Sequence, residues 1–297
     1  MVLTLVFLTV LLGMAAAVID VGAWYRAHRQ TQSTADATAL AGAQELPDSA
    51  FAKTLALDYA GRNGGGVGSS DVTFTSEREA NDTIHVTARR TVPGLFTKLF
   101  GVNSVTARGT AAARTSPMGS AKWVAPIGVD YTHDKLHCNV SLVCNPEFGV
   151  DTSLDLIKSG PGAFRLINID GSRGGTPPGV LADWMLNGYS GDMPLDWYFS
   201  DPGAKWNNNS IQAAMQARYG TDLLFPVYDQ LINQGSNAEY HIIGWASFHL
   251  TDAQASGTSG TLTGYFTQVI WEGLVDQSGP SNPEIPDLGV HSVALVD

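Results

Sequence analysis

The chain is poor in cysteine and in positive charge: two cysteines in 297 residues, and 17 Lys and Arg against 28 Asp and Glu, a net charge of −11. The shortage of cations is uneven. Residues 1–121 carry ten Lys/Arg and nine Asp/Glu, whereas residues 122–297 carry seven and nineteen. Phosphate contacts need a basic face, so the acidic distal half argues against nucleic acid as a partner. The sequence also lacks a G-x-S-x-G elbow, a P-loop and a C-x-x-C pair; the commonest nucleophile, nucleotide and redox signatures are therefore missing. Gly171-Ser172-Arg173-Gly174-Gly175 is glycine-rich but opens no convincing helix, which rules against a phosphate cradle. No repeat of fixed period is present.

Charge is missing altogether from one stretch. Val2 to Ile19 is apolar except for Thr4 and Thr9. As a helix, eighteen residues rise about 27 Å, close to the thickness of a hydrocarbon core. Asp20 is the first charge and Arg26 the first cation. From Tyr25 to Glu45 the chain is rich in good helix formers and has no proline before Pro47, so one continuous helix of about 65 Å is predicted. A cleaved signal peptide is the competing reading. Signal peptides have a basic leader and a shorter core, and here no cation precedes the run while the helical pattern continues past it. A retained helix is therefore expected, with Val2, Leu5, Leu8 and Leu12 among its anchoring residues. Arg26, His28 and Arg29 follow the span, which by the positive-inside rule would place them in the cytoplasm; a basic leader would reverse that count.

The same stretch resembles the N-terminal segment of TadE/TadG-like proteins of Tad (tight adherence) pili. The matching residues are Asp20, Val21, Gly22, Trp24, Tyr25, Arg26 and Arg29, then Gln32, Ala35, Asp36, Ala37, Ala39, Leu40, Ala41, Gly42 and Ala43. The segment from His85 to Ala113 resembles TadG-like proteins more loosely. Family members usually carry a short basic leader ahead of the apolar run, and this sequence begins inside that run, as a processed or truncated chain would. The resemblance implies a structural pilus protein whose partners are the membrane during assembly and Tad-type assembly machinery. It also implies, as in type IV pilin-like proteins, a helix that anchors in membrane or packs in a filament core. Ala35, Ala39 and Gly42 are small enough to let helices approach closely, so self-association into a homopolymer through this helix is expected. Asp20 would be costly in lipid or in a dry bundle. It is expected to pair with Arg26 or Arg29 of the same or an adjacent helix, or to lie at the membrane edge.

Beyond the helix the chain reads as α+β. Residues 47–114 read as a small α+β domain, 115–120 (TSPMGS) as a linker, and 121–297 as a β-rich antiparallel distal domain facing outside. In the first, Asp48 N-caps a helix, two alternating runs make a hairpin through Glu79-Ala80-Asn81-Asp82, Pro93 to Phe100 forms a short helix, and Val105 to Ala113 a third strand. In the second, Lys122–Val129 and Ala163–Ile169 are expected strands, and Val180–Leu186 and Ser210–Arg218 helices. Asp222–Tyr228, Glu239–Leu250 and Thr261–Leu274 are expected to be its main strands. After the proline-rich SGPSNPEIPDLG, the final VHSVALV could add a strand to its own sheet or to a neighbour's edge.

Candidate chemistry is sparse. His133 and His137 stand at i, i+4 but inside a loop-like context, where a solvated loop explains them better than zinc. Asp151/Asp155 and Asp192/Asp196 could in principle supply paired carboxylates, and Asn168-Ile169-Asp170 could face calcium; scattered surface acids account for both, and no twelve-residue calcium loop is present. Three Asn-x-Ser/Thr sequons, at Asn81, Asn139 and Asn208, matter only in a host that glycosylates asparagine. The distal tryptophans read mainly as core. Cys138 and Cys144, six apart, are most simply a disulfide closing a small loop in an exported protein, against two reduced thiols; two ligands are too few for structural zinc. No catalytic residue, metal site or cofactor is assigned. The reading is a non-enzymatic cell-surface structural protein with a display or adhesive role, against an anchored surface enzyme or carbohydrate-binding module.

Overall fold

The computed structural model describes residues 2–77, 80–156, 163–203, 205–256, 259–275 and 285–296. These form four α-helices and fourteen strands, an α+β chain led by a long apolar helix. It divides into two compact units, residues 1–115 with 293–297, and residues 116–292.

The first unit begins with α1 (Val2–Ala43), unbroken for 42 residues. Turns through residues 44–47 then lead to α2 (Ser49–Arg62), where the Asp48 side chain accepts the N–H groups of Ala50 and Phe51. That satisfies two donors that a helix start otherwise leaves bare. A hairpin follows, β1 (Val72–Thr75) with β2 (Thr83–Pro93), in the register Val72↔Val86; Glu79, assigned to its turn, lies outside the described residues. β3 (Ser104–Ala121) pairs antiparallel with β2 from Thr83↔Arg114 to Pro93↔Ser104. The core of this unit is built from small side chains, Ala39, Ala43, Ala52, Ala56 and Ala113, around Leu46, Val72, Ile84 and Val86. Small residues bring the helices close to the sheet, and two glycines show how close. A Cβ on Gly42 would fall 2.4 Å from Ile84 Cδ1, and one on Gly109 of β3 would fall 2.7 Å from Gln32 Cα of α1.

β3 is longer than the sequence suggests. TSPMGS reads as a linker by composition, yet it continues the strand, and Met118 is fully buried with its carbonyl accepting the Trp245 indole N–H at 3.1 Å. Extended backbone with buried alternate positions outweighs linker-like composition here.

The second unit centres on β10 (Glu239–Ser256). Its antiparallel neighbours are β9 (Thr221–Ile232) and β11 (Ser259–Thr267), and β5 (Thr152–Asp155) pairs with β11. β4 (Val129–Asp130) lies parallel to β9, and β8 (Trp197–Pro202) pairs with the start of β10 and with β6 (Ala163–Ile167). Residues 242–248 are buried without alternation, the signature of a strand covered on both faces. α4 (Asn209–Ala217), N-capped by Asn208, packs on β10 and beside α3 (Pro178–Asn187). The segment predicted as a strand over Lys122–Val129 instead makes isolated bridges before β4. Shorter strands complete the unit: β7 (Met193–Pro194), β12 (Val269–Ile270) and β13 (Gly273–Val275). β14 (Val290–Val296) joins the chain's own sheet, pairing in parallel with β12 at Val269↔Val290. Of the proline-rich stretch before it, residues 278–284 lie outside the described residues.

Candidate functional site: the N-terminal helix

The two halves of α1 meet different surroundings. From Leu3 to Ile19 the apolar side chains, Leu8 and Leu12 among them, are exposed around the helix; the side chains of Val2 and Leu5 lie outside the described residues. The helix is long and apolar enough to cross a membrane, and its apolar window is almost wholly unburied. So long an apolar run facing solvent would be strongly unfavourable in water, at about 25 cal/mol per Å² of apolar surface. An all-round apolar helix needs lipid or other helices as its environment.

At the end of that half stands Asp20, 1% exposed. Its Oδ1 accepts the N–H of Leu95 at 3.0 Å. Its Oδ2 accepts the N–H groups of Phe96 and Thr97, at 2.9 and 2.7 Å, and the Thr97 hydroxyl at 2.8 Å. Four donors therefore converge on one carboxylate, at the start of the 3-10 turn Thr97–Phe100. Arg26 and Arg29 of the same helix, two of the expected partners, are exposed, and a loop 75 residues away supplies four donors, three from its backbone and one from the Thr97 hydroxyl. Backbone N–H groups at a turn start carry the partial positive charge that a carboxylate needs. The family-like pattern points to Asp20, but nothing in the composition of Leu95, Phe96 and Thr97 marks them as its partners. The only clue is Pro93-Gly94 opening a short turn.

The second half of α1 is enclosed by its own unit. Ala35 and Ala39 have no exposed surface and Gly42 is buried; Ala39 shares a core with Ala52, Ala56 and Ile84, and Gly42 lies against Ile84, Ala52 and Ala56 of β2 and α2. Thr34 donates to the Asn63 carbonyl at 2.6 Å, Gln32 to the Thr110 carbonyl at 2.9 Å, and Arg90 to Gln30 at 2.6 Å. The small residues expected to let neighbouring subunits approach are thus accounted for within the chain, because the sheet and α2 already occupy that face.

Cys138 and Cys144 form a disulfide. Around it, Lys135 and His137 both reach Glu147, at 2.6 and 3.0 Å. The Lys135 bond and then the His137 bond hold the Glu147 carboxyl below its usual range, and Glu147 in turn raises Lys135. His133 points elsewhere, to the Ser153 carbonyl and the edge of Phe266, so the two histidines share no centre. Asn168 is buried and spent on the carbonyls of Ser172 and Gly174 and the hydroxyl of Thr176. Among the described residues no group of three His, Cys, Asp or Glu is placed to hold a metal ion. A pocket of about 290 Å³ beside α4 is lined by Leu156, Trp206, Ile211, Met215, Leu262 and glutamines, with no acid, base or thiol among its described lining.

Residues 1–45 match the family model described as "Putative Flp pilus-assembly TadE/G-like" (Tad). No curated protein matches the chain, and no solved structure does. The matched segment is α1 with the first turn beyond it, and it supports a pilus-related role.

Proposed function

We propose that the chain is a structural, non-enzymatic component of a Tad-type pilus system, displayed at the cell surface and held by α1. The carrying observation is the apolar half of α1, exposed on all sides within the stretch that matches the Tad family model. In this reading the helix sits in the cytoplasmic membrane before assembly and then packs against copies of itself in a filament core. The contacts between copies come from residues 3–19. Within residues 27–43 the buried positions, Ala35, Ala39 and Gly42 among them, belong to the subunit's own core in this reading. Tad-type machinery handles the chain at the membrane, and the acidic second unit faces outward with a display or adhesive role. No cofactor is needed.

Shear fractions from cells making the protein, viewed by negative-stain microscopy with antibody against residues 116–292, test this directly. Labelled filaments that sediment as polymers are expected. Protein that remains wholly in the membrane fraction, with unlabelled filaments, would replace the subunit reading with an anchored accessory one.

A further inference from the structure

The loop that binds Asp20 carries an apolar surface left exposed among the described residues. Leu99 is 85% and Phe100 77% exposed, and Leu95, Phe96 and Val102 are exposed beside them. The loop is not loosely built. Gly94 N–H donates to the Asn103 carbonyl at 2.9 Å, and Val102 N–H to the Thr97 carbonyl at 3.1 Å. The Thr97 hydroxyl donates to Asp20 at 2.8 Å and lies 3.2 Å from the Val102 carbonyl. A locally closed turn that displays five large apolar side chains needs an occupant for that surface.

Its position decides which occupant. Asp20 ends the uncharged run, so the loop is held level with the end of the helix that enters lipid. Trp24 and Tyr25 follow within about two turns, at the height where aromatic residues collect in membrane interfaces. Lys98 in the loop is exposed, and Arg26 and Arg29 lie about 9 and 14 Å further along the helix axis,. Apolar side chains with flanking cations at that level match the boundary between headgroups and acyl chains.

We propose that residues 95–102 form a second membrane contact, with Leu95, Phe96, Leu99 and Phe100 entering the interfacial layer of the bilayer and Asp20 acting as the latch that fixes their height. The carboxylate meets backbone donors rather than lipid, which removes the cost of a charge at the membrane edge. The loop in turn sets how deep α1 sits and how the first unit stands on the surface. The proposal rests on the reading of α1 as membrane-embedded.

The test uses the full chain in vesicles of phosphatidylcholine and phosphatidylglycerol. Both native cysteines are in the disulfide, so a single added thiol can be labelled with an environment-sensitive fluorophore. Leu99→Cys reports the loop, Leu8→Cys the helix, and Arg62→Cys an exposed site on α2. Quenching by a shallow lipid-borne quencher at Leu99, by a deep one at Leu8, and by neither at Arg62 is expected. Leu8 quenched with Leu99 at the Arg62 level overturns the loop contact and leaves the anchor standing. Leu8 unquenched overturns the anchor and the proposal together. Leu99 shielded from aqueous quencher in detergent oligomers, yet not quenched by lipid, assigns the patch to a second copy and also overturns it. Asp20→Asn in the Leu99→Cys background should lower the docked-to-undocked ratio about ten-fold, the equivalent of losing one charge-assisted bonding group. Unchanged Leu99 quenching in that folded variant removes Asp20 as the latch.

Discussion

The two halves of α1 are similar in backbone and opposite in environment. Residues 3–19 turn large apolar side chains outward on every side, while residues 27–43 bury alanine, threonine and glycine against α2 and the β2–β3 sheet. Large apolar residues are normally read as core and small ones as interface. In this helix the large residues of the first half are exposed among the described residues, and the small ones of the second half are buried. The physical reason is the distance of approach. A helix lying on a sheet that already carries Ile84 and Val86 has room for little more than a methyl group. A helix in lipid or in a bundle is instead stabilised by bulk.

The largest expected effect breaks the outward half. Leu8→Lys with Leu12→Lys should abolish membrane association, since each lysine near the middle of the span costs about 3 kcal/mol of insertion. Alkaline extraction of membranes checks it: the double variant is expected in the soluble fraction, with the melting of residues 116–292 unaltered. Retention of the double variant in the bilayer would mean that something other than residues 3–19 holds the chain there.

The inward half should fail differently. Ala35→Leu or Ala39→Leu forces three extra carbons into a site with no free surface, which costs about 1–3 kcal/mol each through overpacking. Limited proteolysis of residues 27–115 should accelerate while extraction behaviour stays that of the unaltered protein. A variant with Ala39→Leu that kept its protease resistance but lost polymers would return these positions to contacts between subunits. In the second unit, Cys138→Ser with Cys144→Ser removes a small closed loop and should lower stability by about 2 kcal/mol in the chain-entropy model. Denaturant melts of the full chain, with and without reductant, measure it, and the α1 unit should melt unchanged.

Much of this was legible in the sequence. The uninterrupted helix, its apolar first half, the hairpin, the Asp48 cap and the disulfide follow from rules that act over a few residues. What was not legible is what depends on distant partners. Asp20 accepts its bonds from residues 95–97, and a backbone N–H leaves no mark in composition. The second half of α1 carries the same small residues whether it faces a sister helix or its own sheet, because close approach imposes one requirement in both cases. TSPMGS has the make-up of a linker, and only the pairing that buries Met118 makes it a strand.

The smallest expected effect separates packing from charge within the unit that encloses the inward half. Asp71 accepts the Gly68 N–H at 3.0 Å and pairs with Arg89 of β2. The Gly68 bond first, and then the Arg89 guanidinium, hold its carboxyl below its ordinary value of 3.8, against an opposing contribution from burial. A carboxyl that is more acidic folded than unfolded stabilises the fold above the ordinary value and loses that contribution as pH falls through the lower folded value. Arg89 is about half exposed, so solvent screening keeps the contribution below about 1 kcal/mol. Asp71→Asn should therefore lower the midpoint of the first unit slightly at pH 7, and the gap to the unaltered protein should close below pH 3.8. Ala39→Leu changes no titratable group, and its larger deficit should hold across the same pH range. A pH-dependent Ala39→Leu deficit would show that overpacking at α1 reaches the Asp71–Arg89 pair, and that the helix and the far end of the hairpin yield as one piece.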